Sequence, residues 1–230
     1  MLFIIHRLNQ IQNGNPSHVF SEAWFKITFC FSVTSEDTSP YPPLVNSHFQ
    51  PHLYHGCYGD IMSMDTPGAS CDIDRLINCG ISGSEMFAEM DLVPMKKYET
   101  IIKDVGQKQC VDPALIAAII SRETHAGSAL RDGWDYQGLK FGLMQLDKHT
   151  YQPTGAWDSE EHLTQAVRIL TDKIKAIQRK FPTWTMSQHL KGGLSAYRSG
   201  IDDIGTPSDV ENDYTNDILA RCKFYKRHGF

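Results

Sequence analysis

No apolar run in this chain of 230 residues approaches the roughly 20 that a membrane-spanning helix needs. A role within a membrane is therefore not expected. Positive charge is scarce as well. Lys and Arg number 22 against 27 Asp and Glu, a net charge of −5. With no basic field, nucleic-acid binding is not expected, and nothing steers the whole chain toward an anionic polymer. Alternating apolar and polar residues are rare, so strands should be few, and no internal repeat is present. The opening MLFIIHRLNQ is too short an apolar run for a secretion signal.

What remains is ordinary for a water-soluble protein, with 41% hydrophobic and 21% charged residues. That length can bury one good core. Residues 1–56 carry Pro16, Pro40, Pro42, Pro43 and Pro51 among many Ser, Asn and His. They are expected to pack poorly. Within them, Phe25 to Val33 (FKITFCFSV) resembles a signal core in composition but lies internally. A signal remnant, an edge strand and no element at all remain open there. From Cys57 to the end, residues 57–230 read as one folded domain, expected to be a monomer. Six cysteines are present, at 30, 57, 71, 79, 110 and 222. An even count is compatible with disulfides without fixing their connectivity. His52, His55 and Cys57 are the one cluster of metal-ligand types, but three ligands in a Pro-rich stretch fall short of a zinc site. No metal or cofactor is expected.

The chain is organised around Asp112 to Gly127, DPALIAAIISRETHAG. Asp112 can cap a first turn, and Pro113 suits the first helical position, where its missing N–H costs nothing. Ile116, Ile119, Ile120 and Glu123 follow at i, i+3, i+4 and i+7, one face of a helix that Gly127 should end. Glu123 therefore rides on the stripe that faces the core. Desolvation disfavours the charged form of a carboxyl, the condition a general acid requires. The plain alternative is a solvated glutamate paired with Arg122 or His125.

Other elements follow from the same rules. A helix should begin near Ser84, with a break suggested by Asp91 and Pro94 and a restart that Gly106 closes. Residues 128–158 are rich in Gly and aromatics with no helical period, so loops and short strands are expected. Asp135, Gln145 and Asp147 lie in that region and are polar groups to aim at Glu123. Ser159 should cap a long helix whose Leu163, Val167, Leu170, Ile174 and Ile177 line one face. A helix over Ser187 to Ser199 contains Gly192-Gly193, a pair suited to close approach of a backbone or ligand. Asp213 to Arg227 should form the last helix, with Ile218, Leu219, Cys222 and Tyr225 inward. Trp134 and Trp157 suit packing as well as sugar stacking.

The stretches DTPGASC, ISRETHAG, FGLMQLD, FPTW, LKGGLSAY and KFYKRHGF run in order from Cys57 to the end. In these the chain resembles the goose-type (g-type) lysozymes, more particularly their mammalian g-like protein 1 branch. The resemblance implies a mainly α, lysozyme-type α+β fold, a helical domain with a small β region beside a cleft. It implies a secreted, antibacterial enzyme that cleaves the β-1,4 bond between N-acetylmuramic acid and N-acetylglucosamine, acting on peptidoglycan or chito-oligosaccharide. Residue by residue, it places the general acid at Glu123 and a water-positioning carboxylate at Asp147. It pairs Cys57 with Cys110 and Cys71 with Cys79, leaving Cys30 and Cys222 over.

Inversion then follows, because an inverting glycosidase needs an acid and a base far enough apart to hold water. Asp147 alone, or Asp147 with Asp135, would hold it. The chain also departs from the family pattern. Tyr136 stands where the family has its second acidic residue, with Asp135 one place earlier. Leu139-Lys140 replaces a flexible Asn-Gly. Arg198 stands where the family's SAYNAG motif has Asn. Gln145, Tyr197, Tyr136 and Arg198 are the expected substrate contacts. A catalytically weak saccharide-binding protein with the same cleft is the alternative.

Overall fold

Eight residues in a row, Ala114 to Ser121, are at most 1% exposed. A helix apolar on every side must be covered on every side, and the other helices are arranged to do that. The computed structural model describes residues 55–71 and 79–230. Expectations for the Pro-rich segment, the Phe25 to Val33 stretch, Cys30 and His52 lie outside the described residues.

The fold is mainly α. Helix α1 spans Gly80–Met95, α2 Glu99–Gln109 and α3 Pro113–Thr124. Strands β1 (Lys140–Phe141) and β2 (Leu146–Asp147) form a small antiparallel pair. Helices α4 (Glu160–Lys180), α5 (Met186–Ser199) and α6 (Asp213–Arg227) complete it. Helix α3 packs against α1, α2 and α6, while α4 packs against α2 and α5.

The caps act as their residue types predict. Asp112 accepts from the Ala114 N–H at 3.0 Å, Ser159 from His162 at 3.2 Å, and Thr185 and Gln188 form a capping box on α5. The apolar face expected on α4 is buried along its whole length.

Three details differ from expectation. Helix α3 ends at Thr124, not Gly127, because His125 and Ala126 themselves take left-handed backbone. Thr124 secures that end by donating to Ile120 O and Leu143 O, each at 3.0 Å. Helix α1 starts at Gly80, ahead of Ser84, and ends at Met95, so the expected break falls just past Pro94, before the restart of α2 at Glu99. Asp91 is buried because it serves the core, accepting from Ser121 Oγ at 2.6 Å. Gly106 does not close α2, which continues to Gln109 and ends on left-handed Cys110. A Cβ on Gly106 would lie 2.8 Å from Val111 O, so the glycine permits the tight return into α3.

Helix α6 grips α3 at both ends. Lys226 pairs with Asp112 at 2.7 Å, both buried. Nearer the other end, Arg221 donates from Nε to Asp217 at 3.0 Å and from Nη1 to Ser121 Oγ at 3.0 Å. Buried charges hold a fold together only when each finds its partner, and these do. Disulfides join Cys57 to Cys110 and Cys71 to Cys79, as the resemblance implied. Cys222 is a free, buried thiol, pushed well above its ordinary pKa by burial. Cys57 is thus committed to a disulfide, and His55 meets Asp60 at 3.3 Å.

Candidate active site

Glu123 sits on the last turn of α3, where the helix first leaves the core. Its side chain is 11% exposed. Beside it, a cavity of about 270 Å³ opens between the end of α3, the strand pair and the C-terminal end of α5. Glu123, Gln145, Asp147, Tyr197 and Arg198 all line it. Five of the seven residues expected to act on substrate are therefore together.

Local geometry fixes the four that accompany Glu123. Asp147 ends β2, and its Oδ1 accepts from the His149 N–H at 2.8 Å. That bond, an Asx turn, sets the direction of the carboxylate. Gln145 occupies left-handed backbone with φ of 57° and donates its side-chain amide to Gly142 O at 2.9 Å. It thereby closes the turn that carries Asp147. Tyr197 donates to Met144 O at 2.9 Å, tying α5 to the same turn. Arg198 lies over the Tyr214 ring, 4.6 Å from its centroid, and places Nη1 3.8 Å from Glu123 Oε1.

Asp135 and Tyr136 do not line the cavity. Asp135 Oδ1 accepts two backbone N–H groups, Leu139 at 2.7 Å and Lys140 at 3.1 Å. That carboxylate staples its own loop. Tyr136 is 88% exposed, and its hydroxyl accepts from Gln137 Nε2 at 2.9 Å. Trp134 packs on Phe141, with centroids 4.7 Å apart, and Trp157 packs against the core. His125 is a hydrogen-bonding residue at the helix end, its Nδ1 3.3 Å from Asp91.

Sequence reasoning missed Tyr214. Its hydroxyl donates to Glu123 Oε1 at 2.6 Å, from the first turn of α6. The available signal was spacing: Tyr214, Ile218 and Arg221 lie at i, i+4 and i+7, the face of α6 that meets α3. Burial first, then the nearby Glu123 charge, holds the Tyr214 and Tyr197 phenols well above their ordinary pKa. Both stay protonated donors at neutral pH. Lys140 and Lys173 also line the cavity and were not expected as site residues.

Chemically, the cavity offers a carboxyl at the end of an apolar helix, a second carboxylate on a strand, and fixed donors around them. That combination suits acid–base cleavage of a bond with an oxygen leaving group.

The family described as "Lysozyme g" matches residues 58–229. Similar relatives include "Lysozyme g-like protein 2" of Homo sapiens, 66% identical over 197 residues, 86% of this chain and 93% of the relative. "Lysozyme g" of Gallus gallus is 48% identical over 186 residues, 76% of this chain and 87% of the relative. "Lysozyme g-like protein 1" of Homo sapiens is 44% identical over 178 residues, 76% of this chain and 89% of the relative. Identity to the human g-like protein 2 thus exceeds that to the human g-like protein 1, the branch the motifs suggested. The chain belongs to the lysozyme g family.

Proposed function

We propose that this protein is a muramidase, a glycoside hydrolase that cleaves the β-1,4 bond between N-acetylmuramic acid and N-acetylglucosamine in peptidoglycan, with inversion. Glu123 is the general acid and protonates the leaving oxygen. Asp147 holds and deprotonates the attacking water. One observation carries this reading: Glu123 and Asp147 share a single cavity although α3 and β2 are separate elements. An inverting pair stands about 6.5–9.5 Å apart to leave room for water.

Other side chains serve these two. The Tyr214 hydroxyl and the Arg198 guanidinium orient Glu123 Oε1. Gln145 and Tyr197 fix the turn beneath Asp147. Asp135, its Oδ1 engaged by its own loop, is assigned no part in the chemistry. The activity is assigned to residues 57–230 acting as a monomer. Two disulfides favour an oxidising, extracellular setting, and no described helix is long and apolar enough to cross a membrane. Antibacterial defence is the corresponding role.

Lysis of bacterial walls by the oxidised full chain, beside Glu123→Gln, tests the assignment. The variant should lose at least about a hundredfold, the usual size for a general acid. Equal lysis by both would overturn it. The first product should carry inverted anomeric configuration by NMR and the mass of one added water. An anhydro product would instead indicate transglycosylase chemistry.

A further inference from the structure

Tyr136 is 88% exposed, a larger fraction than for any other large apolar or aromatic side chain among the described residues. It stands where the family resemblance places an acidic residue, so its use is this chain's own. An exposed ring leaves apolar surface in water, which a bound partner can cover. The loop beneath the ring is held still. Asp135 N donates to Lys140 O and Gly138 N to Asp135 O, each at 3.0 Å. Lys148 clamps the other side, from its N–H to Leu139 O at 3.0 Å and from Nζ to Gly138 O at 2.6 Å. The two bonds to Asp135 Oδ1 add to these. Gln137 steadies the ring itself by donating to the Tyr136 hydroxyl at 2.9 Å. That bond uses the phenol oxygen as acceptor and leaves its proton to donate elsewhere. A side chain already ordered loses little freedom on binding.

This loop adjoins the cavity. Asp135 is bonded to Lys140, which lines the cavity wall. Tyr136 is the next residue, one Cα step of about 3.8 Å further on. The cavity measures about 270 Å³, below the usual range of about 300–1,000 Å³ for a pocket that encloses a drug-sized ligand. A glycan of many sugars cannot fit within it and must run out over the surface beside it. The tip of the loop lies on that border. Its chemistry suits a neutral partner, because Asp135 is committed to backbone N–H groups and Lys148 Nζ to Gly138 O. A sugar ring presents a face of C–H groups, which packs on an aromatic ring, and hydroxyls at its edge, which accept from a phenol. Tyrosine offers both an apolar body and a polar tip.

We propose that the Tyr136 ring is an outer platform that stacks on a neutral sugar of a glycan strand whose reacting part occupies the cavity, so that long strands are bound in preference to short ones. This rests on the hydrolase reading for what fills the cavity, whereas the contact itself is a binding event outside it. Two linked contacts raise the affinity of a strand long enough to reach both and leave a shorter strand as it was.

Calorimetry on the oxidised full chain tests it, in a Glu123→Gln background so that no turnover intervenes. The probes are a tetrasaccharide and a long fraction from one preparation of soluble peptidoglycan strands, so that only length differs. Adding Tyr136→Ala should weaken binding of the long fraction about fivefold, equivalent to about 1 kcal/mol, the usual worth of an aromatic contact. Binding of the tetrasaccharide should change by less than about twofold. Tyr136→Phe should keep most of the long-strand affinity, because the ring makes the contact. Raising the salt from about 50 to about 500 mM should leave the effect of Tyr136→Ala unchanged, since no charge is involved. Equal losses at both lengths, no loss at either, or a Phe variant as weak as the Ala variant would overturn the platform and leave the hydrolase reading as it was. A preference for long strands that depends on Tyr136, with no cleavage of them by the Glu123 protein, would sink the hydrolase reading and keep the platform.

Discussion

At the scale of single residues, the chemistry turns on which aspartate faces the cavity. Asp135 and Asp147 are both acids in the loop region after α3, and spacing alone, without the family likeness, does not rank them. Their hydrogen bonds do. Asp135 spends one oxygen on two backbone N–H groups of its own loop, while Asp147 lines the cavity with Glu123. Asparagine keeps an acceptor oxygen but cannot take a proton from water. Asp135→Asn should therefore preserve the loop and leave wall lysis within about twofold, whereas Asp147→Asn should cost about a hundredfold in kcat. Initial rates on one wall preparation separate the two. The reverse ranking would transfer the water-holding role to Asp135. Glu123 itself was legible beforehand because its spacing from three isoleucines is local. Its partner Tyr214 was not, because the bond spans 91 residues and depends on how α6 meets α3.

At the scale of elements, His162 is the joint between the loop region and the helices. It is buried on α4, with Nε2 3.3 Å from Phe141 O and Nδ1 3.1 Å from Thr154 O. A Cβ on Gly142 would collide with its ring, so the turn is seated directly on the imidazole. Burial, opposed by the two carbonyls, holds the His162 pKa below its ordinary value. The unfolded chain then takes up a proton near pH 6.5 that the folded chain refuses. Stability should fall as pH drops below that point and level off once the folded-state pKa is passed. His162→Gln should flatten this slope in urea unfolding followed between about pH 7 and 5. An unchanged slope would assign the dependence to other groups.

Helix periods and caps made α4, α5 and α6 readable, since each is amphipathic and begins on a good cap residue. The errors have physical causes. Helix α3 was drawn too long because left-handed backbone was expected at a glycine and occurs at His125 and Ala126. The break expected from Asp91 and Pro94 falls a little later, after Met95, because an isolated sequence does not show that Asp91 is needed inside, against Ser121.

At the scale of the whole molecule, the Cys57–Cys110 disulfide ties residue 57, the expected start of the folded domain, to the foot of α3. Cys57 N also donates to Cys110 O at 2.7 Å, so the link continues into the backbone. The cysteines are 53 residues apart. On the chain-entropy account, closing such a loop contributes about 4 kcal/mol, and measured values often fall below the account. Limited proteolysis of the full chain with mass analysis should give a resistant core beginning near residue 57 while the disulfide is intact. Cys57→Ser with Cys110→Ser should lose about 2–4 kcal/mol of unfolding free energy and surrender that core faster. Equal resistance with and without the link would place the domain's start elsewhere. Cysteine spacing alone left several pairings open. The family likeness chose between them, and both chosen pairings are present.

The glycine pair on α5 has a bearing on the cavity that neither residue lines. A Cβ on Gly192 would lie 2.7 Å from Ile177 Cγ2, and one on Gly193 would collide with Ile174. Helices α4 and α5 are consequently as near to each other as two backbones can comfortably come. Tyr197 and Arg198 sit one turn further along α5, and Lys173 sits beside Ile174. Any side chain wedged into that crossing levers the two walls apart, so the gauge of the cavity is set from behind, by residues that do not line it.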